Sequence, residues 1–362
     1  MISYSTVVLV SVLSNFLPVL DEHYPVKEQH ILTTSVNMDK LPSFGRSVQD
    51  IAARTFETYT PLLLDNAEKI RSVRKQTFAY GQDARHNLDI YHPAKPKTVN
   101  GRQAVLVFLY GGGLVLGDRT LKVGDGLVHA NVASFFALHY GYTVIVMDYR
   151  RVPDGAKFPS GGEDVALVAD WIARDDEGVF GSSPIDLFIM GNSAGGIHVS
   201  TFLLHPSFAS AREQILTKSK TRLRGAILLS VPFHFDLAEE RRHETLRAYF
   251  GDFDKNSPFG QLRMLRELER GADFLQAGVR VLVLNGELDP EDELLRPRDD
   301  FVREWLGLGL EGVNGLSLDL MQGHNHLSPV VSLGTGDERE EAWGHQVAAF
   351  SDTIRRFSPS NS

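Results

Sequence analysis

The chain has 362 residues, 43% apolar and 23% charged, with 46 acidic against 37 basic side chains and a formal net charge of −9. These proportions describe a soluble globular protein with one sizeable core; they exclude a disordered or fibrous chain and, with no long basic run, argue against nucleic acid or an anionic membrane as the main partner. Cysteine is absent, which removes disulfides, thiolate catalysis and Cys-ligated metals.

Residues 7–20, VVLVSVLSNFLPVL, form the one long apolar stretch. No Lys or Arg precedes it, and Asn15 and Pro18 interrupt it, so it reads as an apolar arm packed on the body in preference to a signal peptide or a membrane contact. A cytoplasmic location is the expectation. SVQDIAARTFETYTPLLLDNAEKI, residues 47–70, has helical spacing, and residues 1–74 are expected to form a helical arm. KQTFAYGQ and NLDIYHP, on either side of DARH, read as an antiparallel edge hairpin. From residue 104 onward the runs AVLVFLY, TVIVMDY, DLFIMG, GAILLS, RVLVLNG and LSLDLM recur, each separated by enough chain for a helix. The runs are apolar without alternation, which predicts strands covered on both sides. The expected fold class is α/β: a mostly parallel central sheet with helices on both faces, occupying residues 75–362. A charged helical insertion at about 232–277 is expected to form a helical lid together with the N-terminal arm.

Four short stretches carry chemistry. GNSAGG, residues 191–196, follows the strand DLFIMG and precedes the helix-compatible IHVSTFLL. Gly-x-Ser-x-Gly between strand and helix puts a serine on a strained turn, with glycines two residues to each side where the backbones crowd. Ser193 is the candidate nucleophile, and the Ala194 amide is placed for an oxyanion hole. GGGLVLGD, residues 111–118, leaves the strand AVLVFLY. It lacks the Lys-Ser/Thr of a phosphate loop and the Gly-x-Gly-x-x-Gly of a dinucleotide fold, so Gly112 and Gly113 are expected to offer amides to an oxyanion. GELDPEDE, residues 286–293, supplies carboxylates after RVLVLNG, with Asp292 and Glu293 suited to a helix start. QGHNHLSP, residues 322–329, supplies His324 and His326. A zinc site on this pair lacks a third nearby ligand, and acid–base work is the expected role.

YGGGLVLGD, MDYRRVPDGAKFPSGGEDV, GNSAGG and NGELDPEDE, in that order, resemble the motifs of the α/β-hydrolase superfamily, and within it the hormone-sensitive-lipase-like carboxylesterases, with some likeness to kynurenine formamidases. The resemblance runs from about residue 75 to 357. It implies an acyl-enzyme on Ser193, with Asp289 as the acid by its place before proline and His326 as the base, and no metal or organic cofactor. Two positions depart from the family pattern: Tyr110 stands where a histidine usually precedes the glycines, and Asn192 where an aspartate often precedes the nucleophile. Tyr110, Asn192 and His324 are expected to line the pocket or support the site. The implied partner is a small-molecule ester or lactone. The motifs do not separate hydrolysis from a lactone-forming cyclase or acyltransferase sharing the same acyl-enzyme, nor wholly from a non-catalytic receptor, and the oligomeric state stays open, a homo-oligomer included.

Overall fold

A computed structural model describes residues 37–267 and 272–357. The expectations for residues 7–20, and for the parts of the arm and insertion at 1–36 and 268–271, lie outside the described residues. One nine-stranded sheet organises the rest: β1 (Arg74–Ala79), β2 (Asn87–His92), β3 (Thr98–Val99), β4 (Arg102–Leu109), β5 (Thr143–Met147), β6 (Ile185–Asn192), β7 (Thr221–Leu229), β8 (Arg280–Gly286) and β9 (Leu316–Met321). Its spatial order is β1-β2-β5-β4-β6-β7-β8-β9, with the short β3 paired to β4.

The expected hairpin is β1–β2, antiparallel from Arg74↔His92 to Ala79↔Asn87. It joins β5 antiparallel, and from β5 across to β9 every neighbouring pair is parallel. β5 and β6 are buried at every residue, and β4 at all but its first. That is why their sequences lack alternation: both faces are covered. One face carries α1 (Val48–Asp65), α2 (Leu127–Tyr140) and the C-terminal α8 (Glu338–Phe357). The other carries α3 (Ser160–Arg174), α4 (Ala194–Leu204), α6 (Pro258–Glu267) and α7 (Arg296–Leu306). Among the parallel strands, β9 alone has exposed residues. As the last strand of the sheet it leaves Ser317, Leu318 and Asp319 exposed, so its apolar run reflects an edge and not a core position.

The helix expected over 47–70 is present, divided at Asn66 into α1 and a short turn Ala67–Arg71. Arg46, just before α1, donates to the carbonyls of Glu287 (2.9 Å) and Asp289 (3.0 Å) beyond β8. The insertion after β7 is helical as expected, with α5 (Glu240–Phe250), the turn Phe253–Asn256 and α6. α6 packs on α4 and α7, and Tyr249 of α5 meets His198 of α4 (3.2 Å). The arm therefore sits beside the loop after β8, a region that α5 also reaches through Arg242 and Glu293 (2.8 Å), while α6 lies on α4.

Candidate active site

Because β4, β6, β7, β8 and β9 are parallel, the loops leaving their C-terminal ends gather on one edge of the sheet, where open α/β sheets place their sites. Ser193 follows β6 with φ 51 and ψ −119, a conformation costly for a residue with a side chain. Its amide donates to the Leu229 carbonyl of β7 (2.8 Å), and α4 starts at the next residue. A Cβ on Gly191 would lie 2.5 Å from the Gly195 carbonyl oxygen, and one on Gly195 would lie 2.3 Å from the Leu109 carbonyl oxygen. Both are backbone clashes that no rotamer relieves, which is the physical content of glycine at these two places. Ser193 stays half-exposed while its neighbours are buried.

The loops after β8 and β9 bring the remaining residues to the serine. The His326 ring spans the gap: Nε2 stands 3.0 Å from Ser193 Oγ and Nδ1 stands 3.2 Å from Asp289 Oδ1. With a carboxylate on the Nδ1 side, the ring proton belongs on Nδ1, and Nε2 is left to accept from the serine hydroxyl. Asp289 is fully buried. Its second oxygen accepts from the Ser230 hydroxyl (2.7 Å), the Gly286 amide (2.9 Å) and the Asn285 side-chain amide (3.1 Å). Three donors on one oxygen fix the carboxylate in direction. Ser230 closes β7 with φ 47, so two strained serines frame the site. Asp292 and Glu293 lie outside it, in the one-turn segment Glu291–Leu295 ahead of α7, and Glu293 pairs with Arg242 of α5 (2.8 Å).

The glycine loop lies against the nucleophile: a Cβ on Gly111 would be 3.1 Å from Ser193 Cβ and 3.0 Å from Asn192 Oδ1. Gly112 (φ 148) and Gly113 (φ 60) adopt backbone that favours glycine. At Gly112 a Cβ would also lie 2.1 Å from the Leu116 carbonyl oxygen, whereas at Gly113 it would meet open space. Among the described residues, no backbone carbonyl accepts from the Gly112 or Gly113 amide, and the Ala194 amide belongs to the unpaired first turn of α4. Tyr110 is wholly buried. Its hydroxyl donates to Asp148 (2.6 Å) and accepts from Arg85 (2.7 Å), and burial, with Tyr149 and Asp148 nearby, pushes the phenol well above its ordinary range.

His324 and His326 stand in different surroundings. His324 is 1% exposed, its Nδ1 meets Ser328 Oγ at 2.9 Å, and burial pushes it down to about 4; it is a neutral ring bracing the loop, with no surface toward a pocket. Asn325 between them accepts from the amides of Leu327 and Ser328 and donates to Thr55 of α1 (2.8 Å). Asn192 points its amide weakly at the Leu229 carbonyl (3.5 Å) and so stays on the β6–β7 frame. Sequence reasoning missed Arg85, Asp148, Ser230, Asn285 and Thr55. Asp148 stands in the family-like MDYRRVP stretch and Asn285 opens NGELDPEDE, both usable signals; Arg85, Ser230 and Thr55 have no local pattern and meet the site only through the fold. His129 and His198 are likewise deeply buried and pushed down to about 4 by that burial.

The BD-FAE family model matches residues 88–220, which include the glycine loop and the serine turn. Mouse cholinesterase is 28% identical over 208 residues, covering 55% of this chain and 32% of that protein. Mouse carboxylesterase 1E is 30% identical over 183 residues, covering 48% of this chain and 29% of that protein. The chain thus spans about a third of the length of these relatives. The esterase of the archaeon Pyrobaculum calidifontis superposes with a TM-score of 0.58 at 19% identity, over 90% of this chain and 99% of that one, a likeness of fold. Parallel sheet, serine turn and glycine loop give the chain the α/β-hydrolase fold, and its sequence is similar to the carboxylesterases.

Proposed function

We propose that the chain is a serine hydrolase of carboxylesterase type acting on a small ester or lactone. The observation that carries this reading is the His326 ring held between Ser193 Oγ and the buried Asp289. In this mechanism His326 Nε2 takes the serine proton as Oγ attacks the acyl carbon, and the amides of Gly112, Gly113 and Ala194 hold the resulting oxyanion. Collapse breaks the ester bond and the departing alcohol takes the proton from His326. A water molecule, deprotonated in turn by His326, then attacks the acyl-serine, and as the acid leaves Ser193 Oγ takes that proton back from His326. Asp289 stays ionised throughout and stabilises the imidazolium. Every bond that breaks is an acyl–oxygen bond, and no cofactor enters the balance. On this reading the arm around α1 and the insertion carrying α5 and α6 serve as the cover that excludes water and sets the acyl and alcohol preference.

Ser193→Ala should abolish both turnover of a p-nitrophenyl ester and labelling by a fluorophosphonate. Persistence of both in that variant would sink the reading. Turnover of a hydroxy-ester in 18O-labelled water separates two fates of the acyl-serine: hydrolysis places solvent oxygen in the product, whereas capture by the substrate's own alcohol gives an unlabelled lactone.

A further inference from the structure

The glycine loop begins at Tyr110 and ends at Asp118, and one guanidinium touches both ends. Arg85, in the turn between β1 and β2, donates to the Tyr110 hydroxyl (2.7 Å), the Gly117 carbonyl (3.2 Å) and the Asp118 carboxylate (3.1 Å), and its Nε reaches the Tyr149 carbonyl (3.2 Å). The buried Asp148 is the matching anion. Its Oδ1 accepts from Tyr110 (2.6 Å) and from the Arg119 amide just past the loop (2.7 Å), and its Oδ2 from the Arg119 guanidinium. The Tyr110 ring lies between His129 (centroids 4.9 Å) and Tyr149 (4.8 Å). The Tyr149 hydroxyl bonds the Tyr110 carbonyl (2.8 Å), and His129 Nδ1 meets the Asp118 carbonyl (3.0 Å). Both ends of the loop are therefore pinned to one ion pair, while the Gly112 and Gly113 amides between them have no backbone acceptor among the described residues. Free amides on glycine backbone hold their direction only if the segment carrying them is anchored, and here the anchors lie at the two ends.

Resting on the serine-hydrolase reading above, we propose that Arg85, through the Tyr110 hydroxyl and Asp148, is a positioning residue for the oxyanion hole: it sets the register of the Gly112 and Gly113 amides against the charge that develops on the substrate. Neither side chain touches substrate. The phenol is needed because it donates to Asp148 and accepts from Arg85 at the same time, a joint that phenylalanine at 110 would remove while keeping the ring between His129 and Tyr149.

The test compares wild type, Tyr110→Phe and Arg85→Met on a p-nitrophenyl ester and on inhibition by a boronic acid, which becomes tetrahedral and anionic on the serine. Loss of amide register should lower kcat by about 10- to 100-fold, the scale of misplacing an oxyanion donor, with KM within about threefold, and should weaken the boronic acid by the same factor as kcat. Unchanged kcat in both variants overturns the inference, as does a fall in kcat with boronic acid affinity intact, since the loss then arises away from the anion. Should Arg85→Met fail to fold, Tyr110→Phe decides alone, because it deletes only the hydroxyl. Ser193→Ala in the same assay separates the two levels: if that variant still turns over ester, the serine-hydrolase reading has failed; if it is dead while Tyr110→Phe is normal, only the positioning role has.

Discussion

At residue scale the site depends on contacts measured in tenths of an ångström. A methyl on Gly195 would sit 2.3 Å from the Leu109 carbonyl oxygen and 2.7 Å from that of Tyr110, so the turn carrying Ser193 and the strand leading to the glycine loop could not both keep their places. Gly195→Ala should lower unfolding stability by about 3 kcal/mol or more, read by denaturant titration, and ester turnover should fall with it. The two histidines should separate by role. His326→Ala is expected to cost about six orders of magnitude in kcat, as loss of the base in a serine–histidine–acid unit does, with little change in stability. His324→Ala, which only removes the brace to Ser328, should lower kcat less than about tenfold and stability by about 1–3 kcal/mol; the reverse ranking in turnover would assign the base to the wrong ring. Ser193, Gly191 and Gly195 were legible because the constraint on each is local: a strand, a turn and a helix contiguous in the chain. Ser230 was not, since a serine after β7 acquires meaning only when β8 brings Asp289 to within 2.7 Å of it.

At the scale of elements, the parallel core was readable because burial on both faces removes alternation, and the runs of β4 to β8 have that character. β9 has a similar apolar look but lies at the sheet edge, since composition does not record strand order. The arm could be read as helical yet its purpose could not, because its contacts span most of the chain. Asn325, beside His326, reaches back 270 residues to Thr55 of α1. Both side chains are fully buried, so Thr55→Val would leave an amide donor without an acceptor, at a cost of about 1–3 kcal/mol. Thermal unfolding should register that loss, ester turnover should fall because the His326 loop loses its tie to α1, and Thr55→Ser should restore both. Wild-type turnover in the valine variant would mean that α1 does not hold the histidine loop.

For the whole molecule, acid is the informative stress. His129, His198 and His324 are each pushed down to about 4 by burial, whereas in the unfolded chain they titrate near the ordinary value of about 6.5. Between those limits the unfolded state binds more protons, so stability should fall as pH drops from about 6.5 to about 4, by about 1.4 kcal/mol per pH unit for each histidine still to be protonated. Asp164, held below its ordinary range by bonds from His86 and Arg150 despite its burial, adds loss in the same direction at lower pH. Glu340, raised chiefly by burial, works against it, because a carboxyl that is more protonated in the native state favours folding in acid. Denaturant midpoints at a series of pH values should therefore decline across this window. A flat profile would show that the three rings are not neutral in the fold.

The central claim is that Ser193, driven by His326, carries the acyl group. It is tested most directly by trapping that group: incubation with an activated ester, acid quench, and peptide mass mapping of wild type beside Ser193→Ala. One acyl adduct is expected on the peptide containing Ser193 in wild type, with neither adduct nor turnover in the variant. Steady turnover by Ser193→Ala, or an acyl group mapped to another residue in wild type, would contradict it.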